Sequence, residues 1–232
     1  LNNESAGRLL TGTFHSLLMQ SLKRLGAEVT SRHLASSGQA MQYLDRSLHK
    51  CMGIEWSSLA TEQDRQSVRT RVDAARSKVS WDDDETDESD KLLNSILDYK
   101  FAMKRAGLMD FGMILEETVT FFKTKGEGVE RTKAYLAEKN SHLQEQGYAI
   151  EWQDELNSFI GADHVIVDEA QDIDEIQLSI LLSIADSGRV VDLVGDDDQS
   201  IYRFRFGLGY AGMMKFVQAT LATLIKLETN YR

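Results

Sequence analysis

A chain of 232 residues with 42% hydrophobic and 27% charged residues has enough apolar content for a folded core and too much for a disordered tail. Its net charge of −11 argues against a protein that gains affinity by blanketing phosphates with lysine and arginine, so any nucleic-acid contact has to be local. No stretch approaches the roughly 20 apolar residues that span a bilayer, and residues 1–6 lack the basic and apolar regions of a signal peptide, so the sequence reads as intracellular and cytoplasmic. One cysteine, Cys51, excludes an intrachain disulfide and a multi-cysteine zinc site. Proline is absent, where average usage of about 5% would give roughly a dozen; nothing in the sequence explains it. A chain that opens on Leu1 suggests a fragment or a processed product.

In chain order, residues 8–14 form a short apolar and β-branched run, and Phe14, Leu17, Leu18, Leu22 and Leu25 then recur at helical spacing. This predicts a strand leading into an amphipathic helix. Residues 31–140 read as mostly helical and polar, broken by glycines and by the acidic run 82–90, expected to be an exposed loop. Residues 108–122 supply a further apolar-rich helix. From Asp163 the texture changes. Val165-Ile166-Val167 ends in Asp168-Glu169, and the run 190–194 ends in Gly195-Asp196. Short buried runs separated by a helix predict a parallel α/β sheet. The intervening helix should start near Asp174, with Gln177 as its capping-box partner, and bury Ile176, Ile180, Leu181 and Ile184. Both acidic segments then fall at the carboxyl ends of strands, the edge where open α/β sheets bind ligands.

Two adjacent carboxylates at such an edge suit nucleotide hydrolysis: Asp168 can hold Mg²⁺ while Glu169 orients and deprotonates the attacking water. Adjacent acids also commonly end a strand and cap a helix, and for the pair alone that plainer reading is the favoured one. The second segment, from Val194 to Arg205, adds Gln199, which carries both a donor and an acceptor and can touch a γ-phosphate or its water. Within it Tyr202 and Phe204 alternate with Arg203 and Arg205, offering aromatic faces to bases and guanidinium groups to phosphates. A loop whose aromatics enter the core while its arginines pair with nearby aspartates would show the same composition.

These segments together resemble a family. His164-Val-Ile-Val-Asp-Glu-Ala-Gln-Asp172 resembles motif II of the UvrD/Rep-type superfamily 1 DNA helicases, residues 194–205 resemble their motif III, and Leu227-Glu-Thr-Asn-Tyr-Arg232 resembles their motif IV, in the same order. Upstream, Thr11-Gly-Thr-Phe-His-Ser16 resembles motif Ib, and Asp110-Phe111 resembles the family's Asp-Phe helix start. The resemblance implies an α/β fold: part of a RecA-like parallel sheet flanked by helices, formed by residues 1–25 and 158–232, with residues 26–157 as a large helical insertion of the kind called 1B. It implies ATP and Mg²⁺ as ligands and single-stranded DNA, or a duplex–single-strand junction, as partner. It implies Asp168 for the metal, Glu169 as base, and Gln199 coupling the γ-phosphate to DNA. Arg205 would connect the nucleotide and DNA sites, Tyr231 would stack near the adenine, and Arg232 would act as an arginine finger. Tyr202 and Phe204 would stack on bases, and His15 and Ser16 would lie along the DNA backbone. For His15 a locally hydrogen-bonded residue at a helix start is the other reading.

Two departures from the family pattern bear on activity. Arg203-Phe-Arg-Phe-Gly207 stands where the family has Gly-Trp-Arg-Gly-Ala. No Gly-x-x-x-x-Gly-Lys-Ser/Thr occurs in these residues, although the backbone amides and lysine of that loop supply much of the grip on ATP. The expectation is therefore part of an ATP-dependent 3′ to 5′ helicase whose phosphate loop and second RecA-like lobe lie elsewhere, these residues alone being inactive. A truncated helicase-like protein that binds DNA or a protein without catalysis is the alternative. A metal-dependent nuclease is disfavoured, since residues 196–198 lead into Gln-Ser-Ile-Tyr rather than into further ligands.

Overall fold

The computed structural model describes residues 9–25, 31–53, 61–76, 87–139, 154–199 and 207–227. Among the described residues lie the helices α1 (Phe14–Arg24), α2 (Ser37–Met52), α3 (Glu62–Arg76), α4 (Asp87–Arg105), α5 (Phe111–Lys139), α6 (Glu175–Asp186) and α7 (Gly209–Thr220), and residues 154–158 are helical as well. Among the described residues, four short strands pair in parallel twos: β1 (His33–Leu34) with β2 (Leu108–Met109), and β3 (His164–Val167) with β4 (Val190–Leu193). Among the described residues no helix is long and apolar enough to cross a membrane.

The expected α/β unit is present, with α6 as the crossover between β3 and β4 in full register from His164↔Val190 to Val167↔Leu193. Asp174 starts α6 as expected. Its carboxylate accepts the Gln177 N–H at 2.8 Å, and the Gln177 side chain accepts the Asp174 N–H at 3.1 Å. Ile176, Ile180, Leu181 and Ile184 are all buried. In the two strands burial alternates rather than covering both faces: Val165, Val167, Val191 and Leu193 turn inward, while Ile166, Val190 and Val194 stay exposed. The runs 165–167 and 190–194, the second carrying the exposed Asp192, therefore belong to a sheet covered on one face by the described residues.

Three expected elements differ. Residues 9–13 form no strand, and Leu9 is 85% exposed. A β-branched run becomes a strand only when another strand takes up its backbone groups, and none of the described strands does. Thr13 instead caps α1, its hydroxyl accepting the Ser16 N–H at 3.3 Å. Of the acidic run, residues 82–86 lie outside the described residues, while residues 87–90 form the first turn of α4. The expected helix over 108–122 begins only at Phe111 and continues to Lys139. Leu108–Met109 are drawn into pairing with β1, and Asp110 caps the helix by accepting the Met113 N–H at 2.8 Å.

One apolar cluster joins Leu18 and Leu22 of α1, Leu48 of α2, Ile96 and Met103 of α4, Ile114 of α5 and Ile180 of α6. A smaller one holds Ile173, Leu181 and Phe216, and Phe14 and Val191 pack against both. Helix α5, within the stretch 26–157, packs on α1 and α6. At the end of α1, Arg24 donates to the carbonyls of Ser158 and Phe159. Gly161 lies beside it with φ +71°, and a Cβ there would stand 2.0 Å from the Arg24 guanidinium.

A buried ion pair fixes α3 to the start of α5. Arg76 reaches both Asp110 oxygens, at 2.7 and 2.8 Å, and its Nε reaches Glu116 at 3.3 Å. The Tyr99 hydroxyl donates to Asp110 at 2.5 Å. Burial raises the Asp110 carboxyl, but the Arg76 guanidinium and the Tyr99 hydroxyl prevail and hold it down at about 2. The ordinary value is 3.8, so the folded form binds its proton less readily than the unfolded form. Its stabilisation, on the order of 2 kcal/mol, is thus fully present above pH 3.8 and is lost as pH falls towards 2. Urea midpoints measured between pH 5 and 2 should fall through that window, and Asp110→Asn should flatten this component of the drop.

Candidate functional site

The two acidic segments meet at the carboxyl edge of β3 and β4. The Val194 N–H donates to Val167 O at 2.8 Å and the Ala170 N–H donates to Val194 O at 2.9 Å, so the ends of both strands are joined beyond the ladder. Asp168 leaves β3 exposed, its Oδ1 accepting the Glu169 N–H at 2.9 Å. Glu169 then turns sharply, with φ 54° and ψ 40°, and a 3₁₀ turn follows at Ala170–Asp172. Left-handed backbone at a non-glycine residue costs about 1–3 kcal/mol and persists where its surroundings enforce it, commonly at functional sites. Here the turn places an exposed glutamate at the end of the strand.

Gln171, only 1% exposed, lies between the segments. Its Nε2 donates to Glu169 Oε2 at 2.6 Å and its Oε1 accepts the Asp196 N–H at 3.1 Å. Asp196 in turn accepts the Gln199 side-chain amide at 2.6 Å and the Asp198 N–H at 3.1 Å, closing the 3₁₀ turn at Asp197–Gln199. Gly195 sits against this junction. A Cβ there would be 2.7 Å from Gln171 Oε1, 3.1 Å from Gln171 N and 3.1 Å from Met213 Sδ, so the close approach requires glycine.

The structure thus brings Asp168, Glu169 and Gln199 to one edge. Tyr202, Phe204 and Arg205, and likewise Tyr231 and Arg232, lie outside the described residues. His15 and Ser16 open α1, some distance away in sequence. The Ser16 hydroxyl donates to Thr13 O at 2.8 Å. The His15 ring meets Phe111 edge-on at 5.0 Å, and burial lowers its pKa, which favours the neutral ring. Gln171 is a site residue beyond those expected from the sequence. Its signal was a side chain with both donor and acceptor immediately after two carboxylates at a strand end.

The donor set suits Mg²⁺. Among the described residues no group of three or more His, Cys, Asp or Glu side chains could hold a metal. Mg²⁺ commonly takes one or two protein carboxylates and completes its shell with water and substrate phosphate oxygens, for which the exposed Asp168 is adequate.

A family model described as UvrD/REP helicase N-terminal domain matches residues 1–210. DNA helicase II of Haemophilus influenzae is 32% identical over 134 residues, covering 58% of this chain and 15% of that protein. The putative ATP-dependent DNA helicase YjcD of Bacillus subtilis is 25% identical over 233 aligned residues, covering 97% of this chain and 26% of its own length. DNA helicase II of Escherichia coli is 44% identical over 71 residues, covering 30% of this chain and 10% of that protein. The chain spans only a minor part of each of these relatives.

Proposed function

This chain belongs to the UvrD/REP helicase N-terminal domain family, and from that premise we propose that it is part of an ATP-dependent DNA helicase that moves along single-stranded DNA in the 3′ to 5′ direction. The observation that carries the reading is the convergence of Asp168, Glu169 and Gln199 on one strand edge, joined through Gln171 and Asp196. Residues 1–25 and 158–232 contribute to the RecA-like lobe, and residues 26–157 form its helical insertion.

Asp168 would hold Mg²⁺, which would supply positive charge against the nucleotide's phosphates. Glu169 takes the proton of the attacking water, and Gln199 contacts the γ-phosphate and passes its presence to the DNA-binding segment. Tyr202 and Phe204 stack on bases, and Arg205 links that segment to the nucleotide. His15 and Ser16 contact the DNA backbone, Tyr231 packs near the adenine, and Arg232 approaches the γ-phosphate as an arginine finger. The phosphate cradle is contributed by residues outside this stretch, so the 232 residues by themselves hydrolyse no ATP. The working compartment is the cytoplasm, where DNA and ATP are both present.

The test is ATP hydrolysis by the full-length protein with and without single-stranded DNA. The rate should rise on adding DNA, and equal rates in the two conditions would rule out the motor reading.

A further inference from the structure

We infer that Gln171 is a positioning residue for hydrolysis, holding the Glu169 carboxylate and the Asp196–Gln199 turn in one fixed relation. The inference rests on the proposed function and adds to it a residue with no direct contact to ATP. Glu169 is an exposed side chain on strained backbone. Left to itself, such a side chain would sample several rotamers, each aiming its oxygens differently. Gln171 removes that freedom. It is buried, and both ends of its amide are used: Nε2 toward Glu169 Oε2, and Oε1 toward the Asp196 N–H. The two partners settle which end is which, because a carboxylate only accepts and a backbone N–H only donates.

The second bond gives the residue its wider role. Asp196 accepts the Gln199 amide, so a continuous path runs Glu169–Gln171–Asp196–Gln199. With Oε2 occupied by Gln171, Glu169 Oε1 is left to accept a proton from water. The water oxygen bonds to the γ-phosphorus, the bond from that phosphorus to the bridging oxygen breaks, and ADP leaves. A shift of Gln199 on its γ-phosphate contact pulls on Asp196 and, through Gln171, on the base. Hydrolysis is thus sensitive to the state of the Gln199 turn. Gly195 serves the same junction, since any side chain there would displace the Gln171 amide.

The experiment uses the full-length protein with saturating single-stranded DNA and compares Gln171→Met, Gln171→Asn and Glu169→Gln. Methionine keeps the length and apolar volume of the side chain but removes both hydrogen bonds; asparagine keeps the amide one methylene short of spanning both partners. Each Gln171 variant should lower kcat by about 10- to 100-fold with KM for ATP within about twofold, the pattern of lost alignment rather than lost binding. Because Gln171 acts through Glu169, adding Gln171→Met to Glu169→Gln should lower the residual single-turnover rate no further. Wild-type kcat in both Gln171 variants, a raised KM with kcat intact, or losses that multiply in the double variant would each overturn the inference. If Gln171→Met does not fold, Gln171→Asn decides by the same criteria. Absence of DNA-stimulated hydrolysis in the wild type, or its persistence in Glu169→Gln, instead overturns the functional reading and this inference with it.

Discussion

Exchanging Glu169 for glutamine is expected to lower DNA-stimulated kcat by about 10²- to 10⁴-fold, the range for removal of a positioned general base, while nucleotide affinity stays within about twofold. The substitution keeps the shape of the side chain and an oxygen that can still accept the Gln171 amide proton. It also keeps a non-glycine residue at φ 54°, so backbone strain is the same in both proteins. What is lost is the capacity to take a proton from water. Single-turnover hydrolysis and fluorescent-nucleotide binding separate the two quantities, and a variant with more than about a tenth of wild-type kcat would remove Glu169 from the role of base.

Asp110→Ala is expected to destabilise the chain by about 3–5 kcal/mol, the usual effect of deleting one partner of a buried ion pair. The loss combines three defects. Arg76, with only 12% of its side chain exposed, keeps a charge with one fewer counter-ion; the Tyr99 hydroxyl loses its acceptor; and α5 loses its cap at the Met113 N–H. Arg76→Met in the same background should restore part of the stability, because it removes the stranded charge. Urea unfolding of wild type, single and double variants gives the coupling directly. Additive losses would mean that the pair contributes no net coupling.

Features set by neighbouring residues were legible in the sequence. The Asp174–Gln177 capping box, the buried face of α6 and the apolar runs of β3 and β4 all depend on spacings of four residues or fewer. So did the placement of Asp168 and Glu169 at a strand end. Features set by distant partners were hidden. Residues 9–13 have strand composition but find no pairing strand among the described residues. Leu108–Met109 look continuous with the following helix until β1, more than seventy positions earlier, claims them. Arg76 and Asp110 are separated by 34 positions, and no local pattern marks them as a pair. Gln171 escaped notice for the same reason, its role depending on an Asp196 N–H that arrives from 25 positions later.

The Arg76–Asp110 pair also determines how force would pass through the protein. Helix α3 is clamped to the first turn of α5, and α5 packs along α1 and α6, the latter being the crossover that sets β3 beside β4. A torque applied to α3 therefore reaches the strand edge bearing Glu169 through packed, charge-locked joints rather than through a pliant linker. For α3 to swing free, water would first have to enter and solvate both ions, so the joint resists small displacements as a stiff spring and yields only as a whole.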